Sequence, residues 1–216
     1  MRLTSLTLLA TAFAFAACAD PTAPGAGRPA LEATAPEPLD DARFARQGPT
    51  ATPLETLQLS RWVVSGRRQT IEIDYTDPDG LAETDPTIVL EYLRLDFADK
   101  TLSRRPDGSA FQAGDSVLVT ITVDPVRFQI ALEPSGLVFD AKDALKLRVR
   151  YQRADPDFDG NGVVDAADET VRTTWLGLWL QDGPTGLWSR IPAQHSLDSR
   201  KFDATLEHFS NYAVAW

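Results

Sequence analysis

The sequence predicts an all-β fold and, within that class, an antiparallel β-sandwich. From Leu54 onward, short apolar runs alternate with turn signals such as Asp77-Pro78-Asp79-Gly80, a pattern typical of short strands joined by tight turns. In Leu145–Tyr151 every second residue is apolar and the residues between are basic, the period of a half-buried strand. Because no helical stripe of comparable length is present, we expect residues 54–216 to form one sandwich domain.

The strands are expected where runs of Val, Ile, Leu, Thr and aromatic residues lie between Gly, Pro and Asp clusters. They are Leu57–Val64, Thr70–Tyr75, Thr87–Phe97, Ser116–Val123, Phe128–Leu132, Leu145–Tyr151, Thr173–Leu180, Leu187–Ile191, Phe202–Glu207 and Tyr212–Trp216.

The N-terminus has the organisation of a secretory signal peptide. Met1-Arg2 supplies a positive charge, Leu3–Phe15 is apolar, and Cys18 is the only cysteine of the chain. Phe15-Ala16-Ala17-Cys18 resembles a bacterial lipobox, which implies a signal peptide of residues 1–17 and a lipid on Cys18. By the same resemblance, alanine after the cysteine implies sorting to the outer membrane. The alternative is ordinary cleavage after residue 19, which would release a soluble protein.

Residues 18–53 are rich in proline and alanine. The prolines stand at positions 21, 24, 29, 36, 38, 49 and 53, a density that opposes both helices and sheet ladders. We therefore expect a disordered tether between the lipid and the sandwich.

The charge balance narrows the function. The chain has 31 acidic and 21 basic residues, which argues against nucleic acid as a partner and suits cation binding. The two histidines, His195 and His208, have no metal-ligand spacing, and the Gly-x-Ser-x-Gly, Walker and His-Glu-x-x-His patterns are absent. We expect no enzyme acting on an external substrate.

A twelve-residue stretch, from Asp157 to Asp168, has the spacing of a calcium loop. Such a loop curls round a hard cation and points oxygens inward at positions 1, 3, 5, 9 and 12, with a backbone carbonyl at 7 and glycine at 6. Gly162 occupies position 6. The predicted Ca²⁺ ligands are Asp157, Asp159, Asn161, the Val163 carbonyl, Asp165 and Asp168. The alternative is an Asp- and Gly-rich turn that binds nothing.

With Asp168 at position 12, where an EF-hand has glutamate, the loop resembles the calcium loops of bacterial dockerin modules. The resemblance covers about a dozen residues, and dockerins carry two such loops, so no cohesin-binding role is implied. An unpaired loop is expected to bind calcium weakly, with Kd on the order of 10⁻⁴ to 10⁻³ M. Residues 155–169 are therefore expected to be an EF-hand-like insertion in the sandwich.

A second resemblance involves the C-terminal half of the chain. Ile130–Asp140, with its Pro134-Ser135-Gly136-Leu137-Val138-Phe139 turn, and the closing Leu206–Val214 segment resemble the β-sandwich domain named for zonula occludens and netrin-receptor proteins. The match covers roughly residues 115–216 and implies a sandwich of the kind found in bacterial surface proteins.

His208-Phe209-Ser210 carries a self-processing hypothesis. In some eukaryotic relatives of the domain just named, this tripeptide is cut between Phe and Ser, with serine as nucleophile and histidine as proton carrier. That chemistry requires a strained peptide bond and an oxyanion donor. The preferred interpretation is an ordinary closing strand in which both polar side chains make local hydrogen bonds.

Trp175 and Trp179 carry a binding hypothesis. In an extended strand they would lie on one face with Gly177 between them, a shape able to stack sugar rings. The preferred alternative is that they are buried, as tryptophans usually are.

These expectations combine into a calcium-stabilised, lipid-anchored β-sandwich of the bacterial cell envelope. Its role would be structural or ligand-binding, with a polysaccharide or an envelope protein as the partner. Self-processing and carbohydrate binding remain alternatives.

Overall fold

Strands dominate the residues that this computed structural model describes, namely 37–39, 43–85, 87–181 and 186–216. Three short helical segments accompany them: α1 Leu81–Thr84, α2 Ala166–Thr170 and a π-helical turn, Val171–Trp175. The strands are β1 Glu37–Pro38, β2 Gln58–Val64, β3 Gln69–Asp74, β4 Glu91–Phe97, β5 Leu102–Arg104, β6 Ser116–Val123, β7 Gln129–Glu133, β8 Val138–Phe139, β9 Leu145–Arg150, β10 Gly177–Gln181, β11 Leu187–Ile191, β12 Gln194–Ser196, β13 Lys201–Leu206 and β14 Asn211–Ala215.

Two antiparallel sheets form the sandwich. Within the described ranges, a seven-stranded sheet has the order β1-β11-β10-β14-β7-β6-β2, and a five-stranded sheet has the order β12-β13-β9-β4-β3. A small β5–β8 ladder lies beside them. The alternation of each strand explains the core: Leu147 and Val149 of β9 point inward with Leu95 of β4, and pack in one cluster with Ile121 of β6 and Val214 of β14. The all-β sandwich prediction is confirmed.

Two predicted strands begin too early: Thr87–Phe97 is a strand only from Glu91, and the second case has a clear local cause. Thr173–Leu180 was expected to be extended, but the chain is helical through Trp175 and only Gly177–Gln181 forms a strand. The cause lies upstream, where Asp165 caps α2 and the helix runs on into a π-turn closed by the Leu176 N–H donating to the Val171 carbonyl at 2.8 Å. The period-2 pattern therefore does not apply to Trp175.

The prediction of a disordered tether over residues 18–53 is wrong for residues 37–38 and 43–48, which pair with or pack against the sandwich. Glu37–Pro38 pairs with β11, and Phe44 and Ala45 are 6% and 1% exposed. Ala45 lies between two strands, because its N–H donates to Val214 and its carbonyl accepts from the Phe128 N–H, both at 2.9 Å. Burial of these side chains outweighs the helix- and ladder-breaking effect of the nearby prolines. Residues 1–36, with the predicted signal peptide and Cys18, lie outside the described residues.

We call residues 43–48 the N-terminal strap. Isolated bridges join Phe44 to Ala215 and Gln47 to Ala154, so the strap runs from the end of β14 to the segment after β9. No helix in the described part of the chain is long and apolar enough to cross a membrane.

Candidate metal centre

The predicted calcium loop lies between β9 and β10, and its end is fixed by helix α2. Asp165 is the N-cap and accepts a hydrogen bond from the Ala167 N–H at 2.7 Å. Asp168 reaches back and accepts from the Asp165 N–H at 2.9 Å. This reciprocal capping box positions the Asp168 carboxylate at the start of the helix, facing the loop.

Three carboxylates converge in the loop. Oxygen atoms of Asp157, Asp159 and Asp168 lie within 4.8 Å of one another. Asp168 is only 2% exposed, Asp157 is half-buried and Asp159 is exposed. The three could hold a metal ion.

Backbone N–H groups hold these carboxylates in place. Asp157 accepts from the Gly162 N–H at 2.7 Å and from the Asn161 N–H at 3.1 Å, while Asp168 accepts from the Asp159 N–H at 3.1 Å. The chain bends at Gly162, whose φ is +86°, and this bend points the N–H donors towards the carboxylates. Each carboxylate oxygen has more than one lone pair, so these hydrogen bonds leave capacity for a cation.

The negative charge of the cluster has no basic partner among the described residues. The nearby Arg172 guanidinium is engaged by Glu169, with two contacts of 2.6 and 2.9 Å. No described ion pair involves Asp157, Asp159 or Asp168. Backbone N–H groups, chiefly that of Asp165, hold the pKa of the Asp168 carboxyl below its ordinary value despite the opposing effect of desolvation. The three carboxylates therefore lie close together with no basic side chain among the described residues to offset their charge.

The other predicted ligands have different neighbours. Asp165 caps the helix and is not part of the cluster. The Asn161 carbonyl oxygen accepts from the Val163 N–H at 2.8 Å, and its amide nitrogen donates to Asp159 at 3.0 Å. Of the four predicted aspartate ligands, the structure thus brings Asp157, Asp159 and Asp168 together, and Asn161 contacts two of them.

The loop is fastened to the sandwich by contacts that the sequence pattern did not indicate. The Phe158 ring is 8% exposed and meets Trp216 edge to face, with ring centroids 6.2 Å apart. At the base of the loop, the Asp155 N–H donates to the Arg46 carbonyl at 2.9 Å. The only hint in the sequence is the aromatic residue at position 2 of the loop.

A small cavity of about 190 Å³ adjoins the loop and is lined by Tyr151, Asp168 and Arg172, among other residues. The Tyr151 hydroxyl forms a 2.5 Å hydrogen bond with His195 Nε2. His195 also stacks on Phe202, with ring centroids 4.2 Å apart. Tyr151 and His195 are therefore each held by contacts within the fold.

The predicted sugar-stacking pair does not form. Trp179 is 3% exposed and its indole N–H donates to the Ala215 carbonyl at 2.9 Å, whereas Trp175 is 53% exposed at the end of the π-turn. Phe44 of the N-terminal strap belongs to the same buried cluster as Trp179, and the Arg43 guanidinium lies over the Trp179 ring, 5.6 Å from its centroid. The stacking hypothesis required both tryptophans on one open face of a strand. The preferred interpretation, burial, holds for Trp179 and not for Trp175.

Ser210 and its neighbours lie where β14 begins. The Ser210 hydroxyl donates to the Gln181 carbonyl, and both Phe209 and Ser210 are buried. The Phe209 carbonyl accepts from the Gly136 N–H at 3.2 Å and lies 3.3 Å from His208 Nδ1. The arrangement supplies a donor at the carbonyl but turns the serine hydroxyl towards another acceptor.

No protein-family model, curated protein or solved structure matches the chain.

Proposed function

We propose that this chain is a calcium-stabilised β-sandwich, anchored through a lipid on Cys18 in a bacterial cell envelope, with a structural or ligand-binding role. The observation that carries the proposal is the convergence of Asp157, Asp159 and Asp168 in a loop whose backbone already orients them.

Calcium fits this donor set better than other common metals. The cluster offers carboxylate oxygens alone, which suits a hard cation and not zinc or copper. The loop spacing is that of a curling chain able to add a backbone carbonyl and water, as the six to eight ligands of calcium require. Magnesium demands a tighter octahedron and gives up its water reluctantly.

The cation would stabilise the fold through the attachments of the loop. It would offset repulsion among three carboxylates and so fix the chain on either side of Phe158. Phe158 packs on Trp216, and the loop base pairs with the N-terminal strap. Calcium would therefore strengthen the junction between the strap, the C-terminus and the loop.

The proposal is tested by thermal unfolding with calcium or with a chelator. At ten times Kd, calcium should add about 1.4 kcal/mol, which raises Tm by roughly 3–6 °C for a chain of this size. Magnesium at the same concentration should give a smaller shift.

The matched variants keep a side-chain oxygen at each position. Asp157→Asn with Asp159→Asn should abolish the calcium shift. Asp107→Asn with Asp140→Asn, which changes two aspartates in other turns, should retain it. If the wild-type protein melts identically in calcium and chelator, the loop is only a turn.

The anchor is tested separately by metabolic labelling with palmitate. Label should appear in the mature wild-type protein and vanish in Cys18→Ser. Equal labelling of the variant would contradict lipidation at Cys18.

Self-processing is the second candidate, and the Gly136 N–H at the Phe209 carbonyl favours it, because such a donor can stabilise an oxyanion. Against it, the Ser210 hydroxyl donates to Gln181 and His208 Nδ1 lies at the carbonyl oxygen. We infer an intact chain.

A further inference from the structure

The outer face of the five-stranded sheet carries two adjoining grooves. One, of about 440 Å³, crosses β9 and β13 and reaches residues 192–194; the other, of about 540 Å³, crosses β3, β4 and β9. They share Asp96 and Lys146 as lining residues. An elongated ligand lying across the strands can therefore occupy both.

The larger groove is basic, although the protein is acidic. Its charged lining comprises four basic residues, Arg68, Arg94, Lys142 and Lys146, and two acidic residues, Asp96 and Asp143. The whole chain has a net charge of −10. This local excess of positive charge would attract an anion to one part of a surface that elsewhere repels it.

Two guanidinium groups meet where the grooves join. Arg94 of β4 and Arg148 of β9 are directly opposite in the register of the sheet, an arrangement that is unfavourable for like charges. Each is held by two carboxylates. Arg94 Nε lies 3.0 Å from both oxygens of Asp96, and its Nη1 lies 2.8 Å from Glu72. Arg148 Nε lies 2.7 Å from Asp203, and its Nη1 lies 3.9 Å from Glu91. The two cations are therefore fixed side by side.

Lys146 is left without an ion pair among the described residues. Its register partner is Asp96, but both Asp96 oxygens are engaged by Arg94, and one also accepts from the Thr70 hydroxyl at 2.8 Å. The exposed ammonium of Lys146 thus lies beside the Arg94–Arg148 pair with no carboxylate of its own.

We propose that these grooves bind an anionic polysaccharide whose carboxylates contact Lys142, Lys146 and the Arg94–Arg148 pair. Neutral polar residues in the lining, Thr70, Thr205 and Gln194, supply hydrogen-bonding groups for sugar hydroxyls. Phe97 is the sole aromatic lining residue of either groove in the described ranges and is 3% exposed. The grooves therefore lack the stacking platform of a single-strand nucleic-acid site.

This inference rests on the ligand-binding half of the proposed function and does not depend on the calcium loop. Its test is calorimetric titration of the full chain with polygalacturonate in calcium-free buffer, with dextran as the neutral polymer and polyglutamate as the acidic peptide. We expect polygalacturonate to bind, dextran not to bind, and polyglutamate to bind more weakly. Affinity should fall steeply between about 0.05 and 0.5 M salt, because exposed charges are screened.

The decisive variant is Lys142→Gln with Lys146→Gln, which removes two exposed charges without breaking an ion pair seen among the described residues. Kd for polygalacturonate should rise by about tenfold or more, because each lost contact is charge-assisted. Arg61→Gln with Arg104→Gln removes two exposed charges that line neither groove, and should change Kd less than twofold.

The two proposals can fail independently. Asp157→Asn with Asp159→Asn should lose the calcium shift and keep polysaccharide binding, whereas the lysine variant should do the opposite. Absence of polygalacturonate binding by a folded wild-type chain overturns the groove proposal. So does an equal loss in the arginine control, and so does tighter binding of polyglutamate, which would assign the groove to an acidic peptide.

Discussion

The outer faces of the two sheets are built differently. On the seven-stranded sheet, Trp179, Trp188, Ala213 and Ala215 form an apolar cluster with Phe44 of the N-terminal strap. On the five-stranded sheet, the corresponding positions carry long charged side chains joined by ion pairs, such as Arg150 Nε with Glu91 at 2.6 Å. On the first face, another part of the chain covers β10, β11 and β14, whereas Trp62 of β2 and Leu118 of β6 stay exposed. The second face is not covered by any described segment.

Side-chain size accounts for the difference. Alanines on β14 leave room above the sheet, which the Phe44 ring fills by meeting Trp188 edge to face with centroids 5.5 Å apart. On β9, arginine and lysine stems cover their own strand. Lys146 is exposed, Arg148 is partly exposed, and the Arg150 and Glu91 side chains are each 15% exposed. The covered face therefore gains stability from burial, whereas the open face gains little from its ion pairs and keeps its charges available for a ligand.

The largest loss of stability should come from removing the Phe44 ring, which packs on the outer face of the seven-stranded sheet. Phe44→Ala deletes a 6% exposed ring and should lower the free energy of unfolding by about 3–5 kcal/mol, the usual range for a buried phenylalanine. Denaturant unfolding followed by circular dichroism measures the change. Val126→Ala, at a 55% exposed position, should change it by less than about 0.5 kcal/mol. Equal, small losses in both variants would mean that the strap contributes no stability.

On the outer face of the five-stranded sheet, Asp203 should make a smaller contribution to stability, and this contribution should depend on pH. Burial alone would raise the pKa of Asp203, but hydrogen bonds from Lys201 and Arg148 outweigh it and lower the pKa below 3.8. The folded pKa is thus below the unfolded one, so the contribution to stability is present above about pH 4 and is lost as pH falls through the folded pKa.

The matched measurement compares wild type with Asp203→Asn. Because the pair is partly exposed, the variant should lose less than about 1 kcal/mol at pH 7. It should lose nothing below the folded pKa, where wild-type Asp203 is protonated. A stability difference that did not change with pH would show that the charge is not the cause.

The sequence could predict the features that depend on local patterns. Ser116–Val123 and Leu187–Ile191 were predicted with the bounds that the structure has, because strand alternation and turn residues are local signals. The Asp157–Asp168 loop could be predicted as a candidate metal site because the spacing of its oxygen-bearing residues is also a local signal. Its capping box follows from local spacing too, although the sequence reading assigned Asp165 only to the metal.

What could not be predicted depends on contacts between distant residues. Phe44 lies in a proline-rich stretch, and only its pairing with Ala215 reveals that it belongs to the core. Trp179 is buried, as the preferred interpretation expected, but the sequence did not indicate that the strap would pack against it. The grooves likewise depend on register, since nothing in the chain order places Arg94 opposite Arg148.

The last prediction concerns cleavage of the chain between Phe209 and Ser210. We expect no cleavage. A cut after Phe209 would free residues 210–216, which include Ala213 and Ala215 beneath the strap. A seven-residue strand paired on both sides would remain bound in a native gel, so intact mass must be measured after denaturation. We expect one mass for the uncut chain, because the Ser210 hydroxyl donates to Gln181 and does not face His208 as its base. A free peptide that begins at Ser210 and disappears in Ser210→Ala would contradict this, and would make the Gly136 N–H the oxyanion donor.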